Sequence, residues 1–282
     1  MYELSVKNSR DETLNLTGNK NYKVTKITGL QPPVTNVSRS NNATSDGSNI
    51  NRVSVSERNL VIYVVIEGDI EANRINLYRY FPLKQTVTVY FKNGSRDVYI
   101  EGTVDSFECD QFTSRQVAQI SLICPKPYLV GVDELITSFS DISSLFEFPF
   151  SIEESGVEFS AITVNTRKSI FNSGDIETGV IIELYAMGEV VNPIIYDVLN
   201  RTHFKLIYTM QANDRIVINT NTGKKSVTLI RDGISSNVIG YMYPDSKWFT
   251  LMAGDNVFTY DAESGNSNLQ ITFTTSVLYG GV

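Results

Sequence analysis

The one histidine of the chain, His203 in NRTHFK, is the first place to look for catalysis. Alone it builds no multi-histidine metal site, and a nucleophile–histidine–acid arrangement needs a serine or cysteine in a recognisable elbow; no GxSxG occurs. Beside a strand, such a histidine reads as structural. Cys109 and Cys124 form no CxxC pair and have no histidine nearby, so they read as free, largely buried thiols. TGKKS, at 222–226, holds a Gly-Lys pair but lacks the earlier glycine and the helix of a phosphate-cradling loop; a hairpin turn is expected. DAESG, at 261–265, keeps neither the oxygen spacing nor the terminal glutamate of a calcium loop.

Glu147, Glu153, Glu154 and Asp175 offer carboxylates for glycoside hydrolysis, but spacing in sequence sets no distance across a sheet. The single tryptophan, Trp248, has the right shape to stack on a sugar ring, with Asp255 and Asn256 as polar neighbours. In KWFTLM it lies opposite Phe249 and Leu251, and packing on a second surface is the favoured reading. The residues call for no enzyme, no cofactor and no metal.

The bulk numbers narrow the partners. A chain of 282 residues holds one large or two ordinary domains. Net charge is −7, and no basic cluster exceeds the pair Lys224–Lys225, so the footprint of a nucleic-acid groove binder is missing. The longest apolar run, LVIYVVI at 60–66, is far too short to cross a membrane as a helix. The first residues, MYELSVKNSRDETLNL, do not resemble a secretory signal, so a soluble protein made in the cytoplasm is expected, unless it leaves by another route.

Strand signals dominate the elements that must position any site, and the fold class expected is mainly β. QPPVTNVSRSNNATSDGSNIN reads as a long loop, about 33–52, or a mobile hairpin. LVIYVVI reads as a strand buried on both faces. A helix over about 69–81 is capped by Asp69, has Ile75, Tyr78 and Phe81 at helical spacing, and is stopped by Pro82. Asn93–Gly94 suggests a two-residue hairpin turn. AQISLIC puts Ala118, Ile120, Leu122 and Cys124 on one face. Residues 1–128 therefore form a strand-rich unit with one helix, and 129–145 a linker. FEFPF, at 146–150, aligns three phenylalanines on one strand face and opens a second domain, 146–282, where TGVIIELYAM, FKLIYTM, DRIVINT, KKSVTLI, KWFTLM, NVFTY and LQITF follow one another as an antiparallel sandwich.

FEFPF, SGDIETG (173–179), NPIIYD (192–197), RIVINTNTGKKSVTL (215–229), SKWFTLMAGDN (246–256) and the final LYGGV resemble the distal tail proteins of long-tailed bacteriophages. In the first half ITGLQPP (27–33), ERNLVIYVVI, RDVYIEGTVDSFECDQF (96–112) and ISLICPKPYL agree in order. The resemblance implies a hexameric ring at the virion tail tip, with the N-terminal domains around a DNA channel and a galectin-like β-sandwich outside. It also implies as partners the tail tube protein, the tail-tip hub or tail-associated lysin and, where present, receptor-binding proteins. If copies meet through sheet edges, the contact residues expected are Val61, Tyr63, Val65, Val87 and Val89, buttressed by Ile75 and Tyr78 of the helix. A host-surface glycan-binding module using Trp248, Asp255 and Asn256 is the alternative.

Overall fold

The computed structural model describes residues 2–41, 46–113, 115–144, 160–164 and 167–282, in two compact units. One unit comprises Met1–Asp133 with Leu278–Val282, the other Glu134–Val277.

The first unit contains β1 (Glu3–Lys7), β2 (Thr13–Asn15), β3 (Tyr22–Thr28), β4 (Thr35–Asn41), β5 (Ser48–Val55), β6 (Arg58–Ile66), α1 (Ile70–Tyr80), β7 (Thr86–Lys92), β8 (Asp97–Cys109), β9 (Val117–Cys124) and the start of β10 (Leu129–Ser138). Its antiparallel sheet runs β2-β1-β7-β8-β9-β6-β3. β8 serves three neighbours, with β10 pairing to it at Val130↔Tyr99 and Gly131↔Val98. Its first half pairs with β7 and its second with β9, and the register shifts between Val104 and Ser106. That bulge bends the strand and increases its twist.

Alternation builds the core as expected along β9, where Ala118, Ile120, Leu122 and Cys124 are all fully buried. Burial alone pushes the Cys124 thiol up to about 11, so it stays protonated and inert, and both cysteines are free. LVIYVVI departs from expectation. Leu60, Ile62, Val64 and Ile66 enter the core, while Val61 and Tyr63 on the other face are only half-buried.

The helix forms where its signals place it. Asp69 accepts from the Ala72 amide at 3.2 Å, Glu71 lies in the first turn and Arg79 in the last. Its buried face, however, is Arg74 and Leu77, continued by Phe81, and not Ile75 and Tyr78, which are exposed. The same spacing fits both faces. Arg74 turns inward because Glu71 pairs with its guanidinium and the Tyr78 hydroxyl lies 3.4 Å from it. Arg79 binds Glu12, which holds that carboxyl at about 2 with help from Asn8.

One open reading is settled and two local expectations are corrected. Of the two forms expected at about 33–52, loop or hairpin, the chain adopts the hairpin, β4–β5, paired from Thr35↔Val55 to Asn41↔Ser48. Asn93 and Gly94 do not adopt the positive φ of a two-residue turn. Instead Asn93 caps a longer turn, accepting through its side chain from the amides of Ser95 and Arg96, both at 2.8 Å. Residues 129–138 and 140–144, read as linker, are β10 and β11 (Ser140–Ser144).

The second unit continues with β12 (Ser160–Val164), β13 (Arg167–Asn172), β14 (Ile181–Ala186), β15 (Val190–Val191), β16 (Ile194–Asp197), β17 (Thr202–Lys205), β18 (Thr209–Met210), β19 (Arg215–Asn219), β20 (Ser226–Arg231), β21 (Ile234–Asn237), β22 (Gly254–Asp261) and β23 (Leu269–Tyr279). It is an antiparallel sandwich. One sheet has β23-β14-β19-β20-β21, the other β13-β22-β16-β17. LQITF alternates as expected: Leu269, Ile271 and Phe273 are buried, and Gln270 and Thr272 half-buried. Phe258 meets Phe273 at 5.0 Å and Phe249 at 5.4 Å, ring centre to ring centre, at the heart of the core. Each such buried ring contributes about 3 kcal/mol.

KWFTLM is irregular rather than a strand. Only Leu251 bridges, to Thr178, yet Phe249 and Leu251 still bury their side chains. TGKKS is a turn between β19 and β20, with Gly223 at φ +79°. FEFPF lies outside the described residues. The last residues, Leu278–Val282, belong to the first unit and not to the sandwich, because Arg58, Arg96 and Leu30 hold their backbone.

Candidate assembly surfaces

The base of the β4–β5 hairpin is held by one buried arginine. Arg58, the first residue of β6, three positions after β5 ends, is buried and donates to the carbonyls of Gly29, Gln31 (2.8 Å), Pro127 (2.6 Å) and Gly280 (2.7 Å). Gly29 and Gln31 lie on the entry side of the hairpin, so one guanidinium clamps both ends. Burial lowers the Arg58 pKa, but guanidinium keeps its charge, and the carbonyl dipoles replace the water it has lost. Gly29 holds φ +88°, and a Cβ there would lie 2.1 Å from the Asn59 carbonyl oxygen. Only glycine fits.

Beyond this base the hairpin stands alone. β4 and β5 pair with each other and with no other strand among the described residues. Cross-strand partners share a face, and the register pairs Thr35 with Val55, Val37 with Val53 and Arg39 with Ile50. The opposite face carries Asn36–Ser54, Ser38–Arg52 and Ser40–Asn49. All the hairpin's branched aliphatics thus lie on one side. Val37 is 47% exposed, Val53 58% and Ile50 66%. Sequence reasoning missed these residues because the alternation is diluted by Asn and Ser and interrupted by the register shift between Ser38 and Arg39.

The expected contact residues separate into two groups. Val65, Val87 and Val89 are buried in the core of their own unit and have no surface to offer another copy. The sheet-edge rationale fails too, because β6 lies between β3 and β9, and β7 between β1 and β8. Val61 and Tyr63 are half-buried, with the Lys26 ammonium 5.5 Å from the Tyr63 ring centre. Ile75 and Tyr78 are the two that remain open, at 56% and 41% exposure. The Tyr78 ring meets the half-buried Phe107 edge-on at 4.8 Å, which fixes its orientation. On the outer face of β1, β7 and β8 a groove of about 500 Å³ is lined by Lys7, Asp11, Thr88, Tyr90, Tyr99 and Glu101. Lys7 and Asp11 pair across its rim at 2.7 Å.

In the sandwich, the sugar-contact set is occupied by structural work. Trp248 is half-buried, stacks edge-on against Phe204 at 5.3 Å and carries the Lys225 ammonium 5.6 Å from its ring centre. Asn256 is buried. Its side chain accepts from the Met252 amide at 2.8 Å and donates to the carbonyls of Met252 and Gly254, so both amide hydrogens are used, and its burial keeps the remaining lone pair from a sugar hydroxyl. Asp255 is exposed, with the Ser169 hydroxyl at 3.3 Å. His203 lies between Tyr196 and Tyr243, and among the described residues no cluster of His, Cys, Asp and Glu is arranged to hold a metal.

Residues 173–276 match the family model described as the siphovirus-type tail component, C-terminal domain. Among solved structures, the Dit protein of phage SPP1, described as a paradigm of the hub adsorption apparatus in phages that infect Gram-positive bacteria, aligns with a TM-score of 0.67 at 14% identity over 97% of this chain and 98% of that one. A chain of the phage p2 baseplate in its activated conformation with Ca aligns at 0.51 and 10% identity, over 97% and 98% of the two chains. The same baseplate with Sr aligns at 0.51 and 9%, over 98% of each. No curated protein sequence matches. The resemblance read from the sequence therefore finds support twice: residues 173–276 match the model of the siphovirus-type tail component C-terminal domain, and the chain shares the fold of SPP1 Dit over 97% of its length.

Proposed function

We propose that this chain is a structural protein of the phage tail tip, made in the host cytoplasm, whose first unit closes into a hexameric ring around the path of the DNA. The ring joins the tail tube protein to the tail-tip hub or tail-associated lysin and, in tails that carry them, to receptor-binding proteins. The sandwich unit stands outside the ring. The observation that carries this reading is the shared fold with SPP1 Dit over nearly the whole of both chains. A net charge of −7 suits a channel that DNA crosses without binding. The glycan-binding alternative has lost its polar contact at Asn256 and much of its stacking platform at Trp248.

Light scattering on the purified protein, with negative-stain images of the same fraction, tests the proposal. Six copies of 31.5 kDa give about 189 kDa and a ring with an open centre. A monomer at every accessible concentration overturns self-assembly.

A further inference from the structure

We infer that the β4–β5 hairpin of one copy lies on α1 of the next copy, its apolar face against the Ile75–Tyr78 stripe. This rests on the ring proposal and names the contact that would close it.

Three observations on the first unit carry the inference. A two-stranded hairpin is at best marginally stable in water by itself, and this one leaves Val37, Ile50 and Val53 uncovered on a single face. The helix presents a matching strip, with Ile75 and Tyr78 exposed beside Ala72 and the ring of Tyr78 held by Phe107. Both surfaces are exposed in the same protomer, so neither covers the other within one chain.

The charges agree. The hairpin carries Arg39 on its apolar face and Arg52 on the other, while the N-terminal end of the helix presents Glu67 and Asp69, both exposed, beside Glu71, whose charge is shared with Arg74. An apolar strip flanked by an acidic helix end fits a hairpin whose aliphatic face ends in an arginine. The arm is also aimed: Arg58 fixes its base, so less freedom is lost when it docks. Because hairpin and helix are different surfaces, the contact is head-to-tail. Repetition of such a contact closes a ring when the rotation allows it.

The head-to-tail character gives the test. Val53→Asp spoils the hairpin and Ile75→Asp spoils the helix strip, both at exposed positions where the protomer should keep its melting temperature. Each variant alone should run as a monomer where the unmodified protein runs near six subunits. Mixed at equal amounts, the Ile75→Asp copy still has an intact hairpin and the Val53→Asp copy an intact helix. One contact survives, so a dimer of about 63 kDa is expected and no ring. A ring that persists in either variant overturns the hairpin–helix contact and leaves the ring proposal standing. Two folded monomers that give no dimer on mixing also overturn it. If the unmodified protein is itself monomeric, the ring proposal fails first.

Discussion

Two antiparallel strand pairs follow closely in the first unit and meet opposite fates. In β3–β6 the β6 strand alternates into the core, with Leu60, Ile62, Val64 and Ile66 buried. In β4–β5, six residues away along the chain at Gly29–Val34, no described side chain is buried. The backbone pairing is the same in kind. What differs is whether a third layer covers the aliphatic face: β6 has β9 beside it and the core beneath, whereas the hairpin has only itself. Hydrogen-bonded pairing therefore says little about role. An uncovered aliphatic face, on a pair whose base is clamped by hydrogen bonds, is what the proposed contact between copies builds on.

Mutation can break this contrast from its strongest side. Arg58→Met should cost about 4 kcal/mol, because it strips a charged donor from several buried carbonyls at once, and denaturant unfolding of the first unit would read it. Stability within about 1 kcal/mol of the parent would show that the clamp contributes little. Gly29→Ala should cost about 3 kcal/mol, combining a positive φ with a backbone contact that cannot yield. A melting temperature unchanged by this substitution would contradict the close approach to Asn59.

Acid sharpens the contrast next. Glu12 is held at about 2 by Arg79 and Asn8, below its ordinary 4.5. Its contribution is complete above that ordinary value and disappears as pH falls from there toward 2. Glu12→Gln should flatten this part of the pH–stability curve, and a curve identical to the parent's would remove the role given to the pair. The smallest effect belongs to the hairpin: Val53→Ser should leave protomer stability within about 0.5 kcal/mol. A larger loss would mean that the hairpin face is covered within its own protomer.

The division between legible and illegible follows the same line. Where burial is one-sided and regular, as in AQISLIC or LQITF, alternation alone finds the core face, and the cap Asp69 and stop Pro82 bracket the helix to within a residue. The helix face was not legible. Ile75 and Tyr78 look more apolar than Arg74, and only the Glu71 and Tyr78 partners explain why arginine turns inward. The choice between loop and hairpin at 33–52 could not be made, nor the aliphatic face found, because polar residues outnumber the aliphatics there, which is what an exposed pair requires. The occupied edges of β6 and β7 could not be read either, since strand order depends on pairings between segments far apart in sequence. Of the contact candidates, Ile75 and Tyr78 were expected on a buttressing face and lie exposed, and the buried valines were chosen because they look like good strand formers.

The clamp at Arg58 also bears on how the chain comes into being. Three of its carbonyl acceptors precede residue 128, but the fourth belongs to Gly280, separated from Arg58 by 222 positions. Domains usually complete themselves in the order in which they leave the ribosome. Here the sandwich, Glu134–Val277, has all its residues before the first unit has its last ones. The part of the molecule translated first is thus finished last. Until Gly280 arrives, the nascent chain carries a hairpin whose base lacks one of its four ties.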